Sequence, residues 1–358
     1  MAGDRMQQLK TRFDNELPRH RVKAFNGSYL MHETKSKLGR NAGWNAILKR
    51  NDWFQRKAAQ TLMQNVAALE QLVVFSYSYT AKKVFEVAKQ AGCQTVLGQI
   101  DPGPVEENIV AEEVAQLKGT DTGFVRAPKQ YWDDWHAECE LADTIVVNSE
   151  WSRSALLKEG IDEKKISILP LVYEPSEAAK SFRRTYPESF TKARPLCVLW
   201  LGQVIPRKGI HYLIEAAKML EEKPVLFRVV GNPGPWKSLL GSMKNVELVG
   251  QVPRSEVSGM YKSADVFLFP TLSDGFGLTQ LEAQSWKLPL ICSKFCGRVV
   301  RHGENGIELK SVSADRVVES ISRVLATPSL LSDWSQQSKP SPFGMPQLVA
   351  KLIQLESF

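Results

Sequence analysis

The chain has little cysteine and lacks any long apolar run. Its 358 residues include five cysteines, whose scattered spacing excludes a disulfide framework and favours a reducing compartment. No stretch of about 18 apolar residues occurs, so the sequence predicts no bilayer-spanning helix. The opening MAGDRMQQLKTRF has no apolar centre, and we therefore expect no signal peptide and a cytoplasmic protein.

Several nucleotide, metal and nucleic-acid motifs are also absent. The sequence has no GxxxxGKS/T and no GxGxxG, which excludes a phosphate-loop ATPase and a dinucleotide dehydrogenase. It has no zinc-finger spacing, RNP pattern or arginine-rich tract, so no nucleic-acid partner is expected. No Asp-x-Asp follows a predicted strand, and Cys292 and Cys296 have only His302 nearby, which favours packing over zinc binding. We predict neither a metal site nor a bound cofactor.

The charge is unevenly distributed along the chain. The formal net charge is +7, residues 1–50 carry +7 by themselves, and residues 101–150 carry −9. A basic surface is compatible with an acidic acceptor or peripheral contact with a membrane. The alternative is that these charges only keep the surface solvated.

Apolar strands alternate with helices in two successive parts of the chain. The first alternation begins with predicted strands at 21–25 and 72–78, and the second with strands at 195–204 and 225–231. Such alternation indicates parallel sheets covered by helices, so we predict an α/β fold of two doubly wound domains. We place the first domain at 1–175, a linker at 176–195, the second domain at 196–337 and a C-terminal helical segment at 338–358.

The segment FPTLSDGFGLTQLEAQSWKLPL, residues 269–290, combines a strand end, a glycine loop and a helix start. Backbone N–H groups at a helix start attract anions. Gly275 and Gly277 are predicted to let the backbone approach a ligand, with Asp274 and Glu282 on either side of it. The alternative is that Asp274 caps the helix and Glu282 only favours its dipole. A phosphate-linked sugar fits the first interpretation.

A second loop, GQVIPRKG at 202–209, follows a predicted buried strand and carries two cations. Pro206 suits the first helical position, which would place Arg207 and Lys208 on the first turn of a helix. Cations there cost about 0.3 to 1 kcal/mol each unless an anion compensates them. We interpret Arg207 and Lys208 as a clamp for a nucleoside diphosphate, the alternative being two solvated charges.

These segments resemble the acid-x7-acid signature and phosphate loop of retaining GT-B glycosyltransferases of the family 4 type (glycosyl transferases group 1). The resemblance implies two Rossmann-like domains facing a cleft, with a C-terminal helix that crosses back to the first domain. It also implies that Asp274 holds sugar hydroxyls and that Glu282 binds the donor ribose. Asp274 stands where the family usually has Glu, and Gln203 where it usually has Arg. The residues expected to bind the nucleotide sugar with Glu282 are Gly202, Gln203, Gly231, Val252, Gly275, Phe276, Gly277, Leu278 and Thr279.

The reaction that the resemblance implies is transfer of a hexose from a UDP-, GDP- or ADP-sugar to an acceptor hydroxyl, with retention and without a metal. Asp274, Arg207 and Lys208 are the catalytic candidates. The alternative is a catalytically silent relative that binds nucleotide sugars as a regulatory or assembly protein. The acceptor is left open between a sugar, a lipid and a glycan.

The first domain is less informative. Asp101 in QIDPGP and the following Glu106 and Glu107 are acceptor-side candidates, although Asp before Pro is also an ordinary turn residue. His136 is interpreted as a packing or surface residue and His302 as part of a turn. Ahead of the segment MQQLKTRF the family has a first strand and glycine-rich loop that this sequence lacks. We therefore expect either that the numbering begins inside a longer product or that the chain is a truncated relative.

Overall fold

The computed structural model describes residue 18 and residues 22–38, 42–65, 72–117, 119–339 and 343–354. Within these ranges, ten β-strands form two separate parallel sheets, and helices pack against both sheets. The α/β class and the two Rossmann-like units that the alternating pattern predicts are confirmed. Helix-covered parallel sheets form here because strands that are apolar on both faces must be covered on both faces.

The first sheet has four strands in chain order. β2 and β3 lie in its middle and are almost completely buried. The strands are β1 (Val73–Tyr77), β2 (Gln94–Gly98), β3 (Thr144–Val147) and β4 (Ile166–Ile168). The accompanying helices are α1 (Asn26–Leu38), α2 (Gly43–Asn65), α3 (Lys82–Gln90), α4 (Pro104–Gln116), α5 (Lys129–Leu141) and α6 (Glu150–Lys158).

The strand predicted at 21–25 is wrong. Residues 22–25 form no strand and lead directly into α1. Phe25 packs edge-on against Trp53 of α2, with 6.5 Å between ring centroids, so this apolar residue joins two helices instead of filling a sheet. The segment MQQLKTRF, ahead of which a first strand is expected, lies outside the described residues.

A buried carboxylate from α5 caps α3. The N-cap of α3 is Ala81, whose side chain cannot accept a hydrogen bond. Glu138, which is 1% exposed, accepts hydrogen bonds from the backbone N–H groups of Tyr79 (2.6 Å), Ala81 (2.7 Å) and Lys82 (3.2 Å). Because N–H groups at a helix start lack intrahelical partners, Glu138 satisfies α3 and ties it to α5.

The second sheet has six parallel strands in the order β10-β9-β8-β5-β6-β7. This is the Rossmann order, and the direction of winding reverses between β5 and β8. Loops that follow the strands at such a reversal leave a crevice where ligands bind. The strands are β5 (Leu196–Leu201), β6 (Val225–Val230), β7 (Val246–Gly250), β8 (Val266–Phe269), β9 (Leu290–Ser293) and β10 (Gly306–Leu309).

One helix of the second domain carries the apolar stripe that the sequence predicts. Ile210, Leu213, Ile214, Ala217 and Leu220 are all buried, because a period of three and four residues brings them onto one face. The helices after β5 are α8 (Ile210–Met219), α9 (Lys237–Gly241), α10 (Val257–Ser263), α11 (Leu278–Ser285), α12 (Ala314–Ala326) and α13 (Ser329–Gln337), and the connection before β5 contains α7 (Glu177–Ser181).

The C-terminal segment returns to the first sheet. It contains α14 (Met345–Gln354). Phe343 and Leu348 pack against a small core that includes Val96 of β2 and Val146 of β3. Lys351 Nζ donates a hydrogen bond to the carbonyl oxygen of Ile168 at 3.1 Å. None of the helices in the described residues is both long and apolar enough to span a bilayer.

Candidate active site

The loops after β5, β6 and β7 meet through their backbones. The N–H of Gly202 donates to Val230 O at 3.0 Å, and the N–H of Gly231 donates to Gly250 O at 2.8 Å. A Cβ on Gly231 would lie 1.9 Å from the carbonyl oxygen of Gly202. Gly231 therefore has to be glycine for these two loops to approach each other, which places two of the predicted donor-binding residues side by side.

The two cations lie on a turn before a helix rather than on its first turn. Pro206–Lys208 form a 3-10 turn, and α8 begins only after Gly209, whose φ is +75°. A Cβ on Gly209 would lie 2.0 Å from the carbonyl oxygen of Pro270. The sequence prediction is wrong on this point because the close approach of the β8 loop requires a left-handed glycine, and that glycine interrupts the helix.

Arg207 and Lys208 are part of a buried cluster of charges. Lys208 Nζ contacts Asp274 Oδ2, and Arg207 Nη1 lies 3.6 Å from the same oxygen. Arg207 Nε also lies 3.4 Å from Glu106 Oε1 on α4 of the first domain. The side chains of Lys208, Asp274 and Glu106 are only 13–14% exposed. The solvated-charge interpretation of the two cations is therefore wrong, because the β8 loop and the first domain both cover them.

Burial changes the protonation of this cluster. Burial raises the pKa of Glu106 to about 7, although the Arg207 guanidinium favours its charged form. Burial and the neighbouring guanidinium lower the pKa of Lys208, whereas the Asp274 carboxylate in contact with it favours the ammonium. The cluster thus holds acids and bases whose charges depend on each other.

The glycine loop leads into an open helix start. Asp274 Oδ1 accepts a hydrogen bond from the N–H of Phe276 at 3.2 Å, while the N-cap of α11 is Gly277, with φ of +81° and no side-chain cap. Within the described part of the chain, no side chain, Asp274 included, therefore caps the N–H groups at the start of α11. The Phe276 ring is buried against Gly297, so the core holds this side chain and only its backbone remains for ligand binding.

Gly275 serves the contact between the domains. A Cβ on it would lie 2.3 Å from the carbonyl oxygen of Ile100 in the first domain. Ser152 Oγ of α6 donates to the carbonyl oxygen of Gly275 at 3.3 Å, and Trp151 Nε1 donates to Ser273 Oγ at 2.9 Å. The missing side chain of Gly275 thus gives space to the other domain, and the approach of its backbone to a ligand stays a prediction.

Glu282 lies on α11 and has a partner that the sequence did not reveal. The hydroxyl of Tyr261 on α10 donates to Glu282 Oε2 at 2.7 Å and also lies 3.3 Å from the carbonyl oxygen of Thr279. This contact orients the Glu282 carboxylate. Leu278 is exposed at the helix start.

Two further predicted donor-binding residues follow strand ends. Gln203, after β5, is exposed, and Val252, after β7, packs partly buried against the core of the second domain. Val252 therefore offers mainly its backbone to a ligand, whereas the amide of Gln203 faces solvent.

The acceptor-side candidates differ in how much hydrogen-bonding capacity they keep. Asp101 accepts from Tyr79 OH at 2.5 Å, from the N–H of Gly103 at 2.9 Å and from Gln99 Nε2 at 3.2 Å. Glu107 accepts from Trp132 Nε1 at 3.0 Å and from the N–H of Ala127 at 2.5 Å. Both oxygens of Glu107 are used within the first domain, whereas all three bonds to Asp101 go to Oδ1. Of these three candidates, Glu106 is the acid that pairs with Arg207 of the second domain.

The two histidines have local partners. His136 Nδ1 lies 2.8 Å from the carbonyl oxygen of Trp132, one helical turn away, and His302 Nδ1 accepts from the N–H of Glu308 at 3.2 Å.

A residue that the sequence analysis missed is Glu113, which joins the domains: it accepts from Tyr212 OH at 2.7 Å and lies 3.0 Å from His211 Nε2. Only the packing of the domains reveals this pair, since nearly a hundred residues separate it in the chain.

Comparisons with known proteins agree with this architecture. Residues 182–340 match the family described as Glycosyl transferases group 1. The chain is 30% identical over 142 residues to the capsular polysaccharide biosynthesis glycosyltransferase CapM of Staphylococcus aureus. The aligned segment covers 37% of this chain and 37% of CapM. The chain spans a third to a half of the length of the curated relatives it matches.

Solved structures show the same fold. Sucrose-phosphate synthase of Thermosynechococcus elongatus has a TM-score of 0.64 at 20% identity, over 85% of this chain and 77% of that one. HepE of Anabaena, solved in complex with UDP-glucose, has a TM-score of 0.58 at 17% identity, over 85% of this chain and 81% of that one. Residues 182–340 therefore belong to the glycosyl transferases group 1 family, and the described chain has the GT-B fold.

Proposed function

We propose that this protein is a glycosyltransferase that moves a hexose from a nucleotide sugar to an acceptor hydroxyl, with retention and without a metal. The observation that carries the proposal is the buried contact of Lys208 and Arg207 with Asp274, just ahead of the uncapped start of α11. Two cations and free N–H groups at a helix start suit a diphosphate. A carboxylate beside them suits the hydroxyls of a transferred sugar.

Each group has a distinct task in the proposed reaction. The departing diphosphate gains negative charge, which Lys208, Arg207 and the N–H groups at Leu278 and Thr279 would stabilise in a site that excludes water. Asp274 would accept hydrogen bonds from sugar hydroxyls. Glu282, already oriented by Tyr261, would accept hydrogen bonds from the ribose.

The finer details of the proposal have different support. Retention follows from the resemblance to retaining enzymes, and metal independence from the two cations that can neutralise the leaving group. UDP-glucose is the first donor to test, because HepE, which has a similar fold, was solved with it. Peripheral membrane contact is supported by the net charge of +7 on residues 1–50, and co-sedimentation with anionic vesicles tests it. The scattered cysteines support the proposed cytoplasmic location.

A second candidate function is a catalytically silent protein that binds nucleotide sugars. The observation in its favour is that both cations already have carboxylate partners. Asp274 contacts Lys208 and lies 3.6 Å from Arg207, and Glu106 lies 3.4 Å from Arg207. A diphosphate would have to displace these contacts. Transfer assays, and not binding alone, separate the two candidates.

The first experiment is a thermal-shift panel with UDP, GDP, ADP and their common sugars. A ligand at about 100 times its dissociation constant stabilises the folded state by about 2.7 kcal/mol. We expect one nucleotide to raise the melting temperature of the parent protein but not of Lys208→Ala. Lys244→Ala is the matched control, because the Lys244 side chain is 79% exposed in a surface pair. No response to any nucleotide would refute donor binding.

The second experiment measures release of the nucleoside diphosphate from the responding donor in the presence of glycoside acceptors. Release that depends on an acceptor supports the enzyme, and binding without release supports the silent relative. The anomeric configuration of the product, determined by NMR, tests retention. Unchanged turnover in EDTA tests metal independence.

A further inference from the structure

A cavity of about 470 Å³ lies between the first domain and the turn at Pro206–Lys208. Its walls come from α2, α4 and α5 and from the loop at 122–125, and its second-domain side is formed by Ile205, Pro206 and Arg207. This volume is within the range of about 300 to 1,000 Å³ that small-molecule sites occupy. The cavity thus adjoins the proposed donor site and shares Arg207 with it.

Aromatic rings form one wall of this cavity. The rings of Trp44 and Tyr131 lie 4.8 Å apart between centroids, and Tyr79 stacks on Tyr131 at 4.7 Å. Trp44 Nε1 donates to the carbonyl oxygen of Val125 at 2.9 Å, which fixes the indole. A wall of preoriented ring faces attracts the slightly positive C–H bonds of a flat apolar surface.

The charged groups of the cavity are mainly acids. Asp101, Glu106 and Glu107 line it together with one guanidinium, that of Arg207. Both oxygens of Glu107 and Oδ1 of Asp101 accept hydrogen bonds from the first domain. Glu106 Oε2 is buried and makes no well-aligned hydrogen bond among the described residues, although the Ser273 hydroxyl lies near enough to the Glu106 carboxylate to favour its charged form. This excess of carboxylates disfavours an anionic ligand, whereas the open oxygen of Glu106 suits a hydroxyl donor.

We propose that this cavity binds an uncharged sugar ring of the acceptor, with its apolar face on Trp44 and Tyr131 and a hydroxyl donating to Glu106. The inference rests on the proposed transferase function and names the chemical class of its acceptor. A ring in this position lies next to Arg207, so one of its hydroxyls is beside the proposed diphosphate site. Sugar phosphates and uronic acids are disfavoured by the same carboxylates.

The test is saturation-transfer NMR on the full chain with methyl glycosides of glucose, galactose and mannose. At least one neutral glycoside is expected to receive saturation, mainly on the C–H bonds of one ring face. Trp44→Ala is expected to weaken its affinity at least tenfold, and Trp44→Phe, which keeps a ring face, to retain most of it. Trp53→Ala is the matched control, since Trp53 also lies on α2 but packs on Phe25 and outside the cavity.

Three outcomes would overturn the inference. They are equal affinity in Trp44→Ala and the parent, stronger binding of a sugar phosphate or of uridine than of any neutral glycoside, and no saturation of any neutral glycoside. Failure of the proposed function gives a different result, namely no thermal shift with any nucleotide while glycoside binding persists. In Trp44→Ala the nucleotide thermal shift is expected to remain, which also shows that the variant is folded.

Discussion

The contact between Lys208 and Asp274 allows the site to be tested through stability as well as ligand binding. A solvated lysine could be replaced at little cost in stability, but the side chains of Lys208 and Asp274 are both about 14% exposed or less. Removing one partner of a buried ion pair costs about 3 to 5 kcal/mol, because the other charge stays buried without compensation. Arg207, 3.6 Å from Asp274, still compensates part of that charge, so we expect a loss of about 3 kcal/mol.

The reverse substitution has a smaller expected cost. Asp274→Ala leaves Lys208 without its carboxylate, but burial lowers the pKa of this lysine, so it can release its proton instead of remaining charged. The variant that carries both Lys208→Ala and Asp274→Ala should then lose less free energy of unfolding than the two single variants lose in sum. We expect a coupling energy of about 2 kcal/mol, within the range for residues in contact.

Urea unfolding followed by tryptophan fluorescence measures the free energy of unfolding of four proteins: the parent, Lys208→Ala, Asp274→Ala and the double variant. Lys244→Ala is the control, since its surface pair with Glu221 has 79% and 41% exposed side chains and should contribute about 1 kcal/mol at most. A loss below about 1 kcal/mol for Lys208→Ala, or a coupling below about 0.5 kcal/mol, would refute the buried ion pair. No nucleotide should raise the melting temperature of the double variant, even if this variant is more stable than Lys208→Ala, because the clamp still lacks its lysine.

Three further predictions concern other acids. Glu282→Ala should weaken binding of the responding nucleotide by about 1 to 3 kcal/mol in calorimetry, whereas Tyr261→Phe, which keeps the carboxylate, should weaken it less; equal losses would assign Glu282 a structural role only. Glu138→Ala should lower the free energy of unfolding by at least about 3 kcal/mol, because the N–H groups at the start of α3 lose their acceptor; a loss below about 1 kcal/mol would mean that water replaces it. Burial raises the pKa of Glu106 from 4.5 to about 7, so the folded state binds this proton more tightly than the unfolded state does. The free energy of unfolding should therefore fall as the pH rises from 4.5 to about 7, by up to about 1.4 kcal/mol per pH unit. Glu106→Gln should remove that part of the slope in unfolding measured across pH 4.5 to 8, and an unchanged slope would contradict the raised pKa.

Much of the fold follows from local pattern. The strands at Leu196–Leu201 and Val266–Phe269 are continuous apolar runs, and such runs are stable only inside a covered parallel sheet. The helix stripe from Ile210 to Leu220 likewise follows from its period. The failure at residues 22–25 has a physical reason, since a short apolar run suits a helix contact as well as a strand and only the packing of Phe25 on Trp53 decides between them.

The sequence by itself determined which residues carry charge and flexibility in the loops: Arg207, Lys208, Asp274 and the glycines around it are set by residue type and spacing. Only the tertiary structure decided what these residues contact. The approach of the first domain turns Gly275 into a contact with Ile100, buries Lys208, and brings Glu106 to Arg207 across about a hundred residues of chain. Such contacts depend on how two separate cores pack together, and no periodicity within one segment of the chain records that packing.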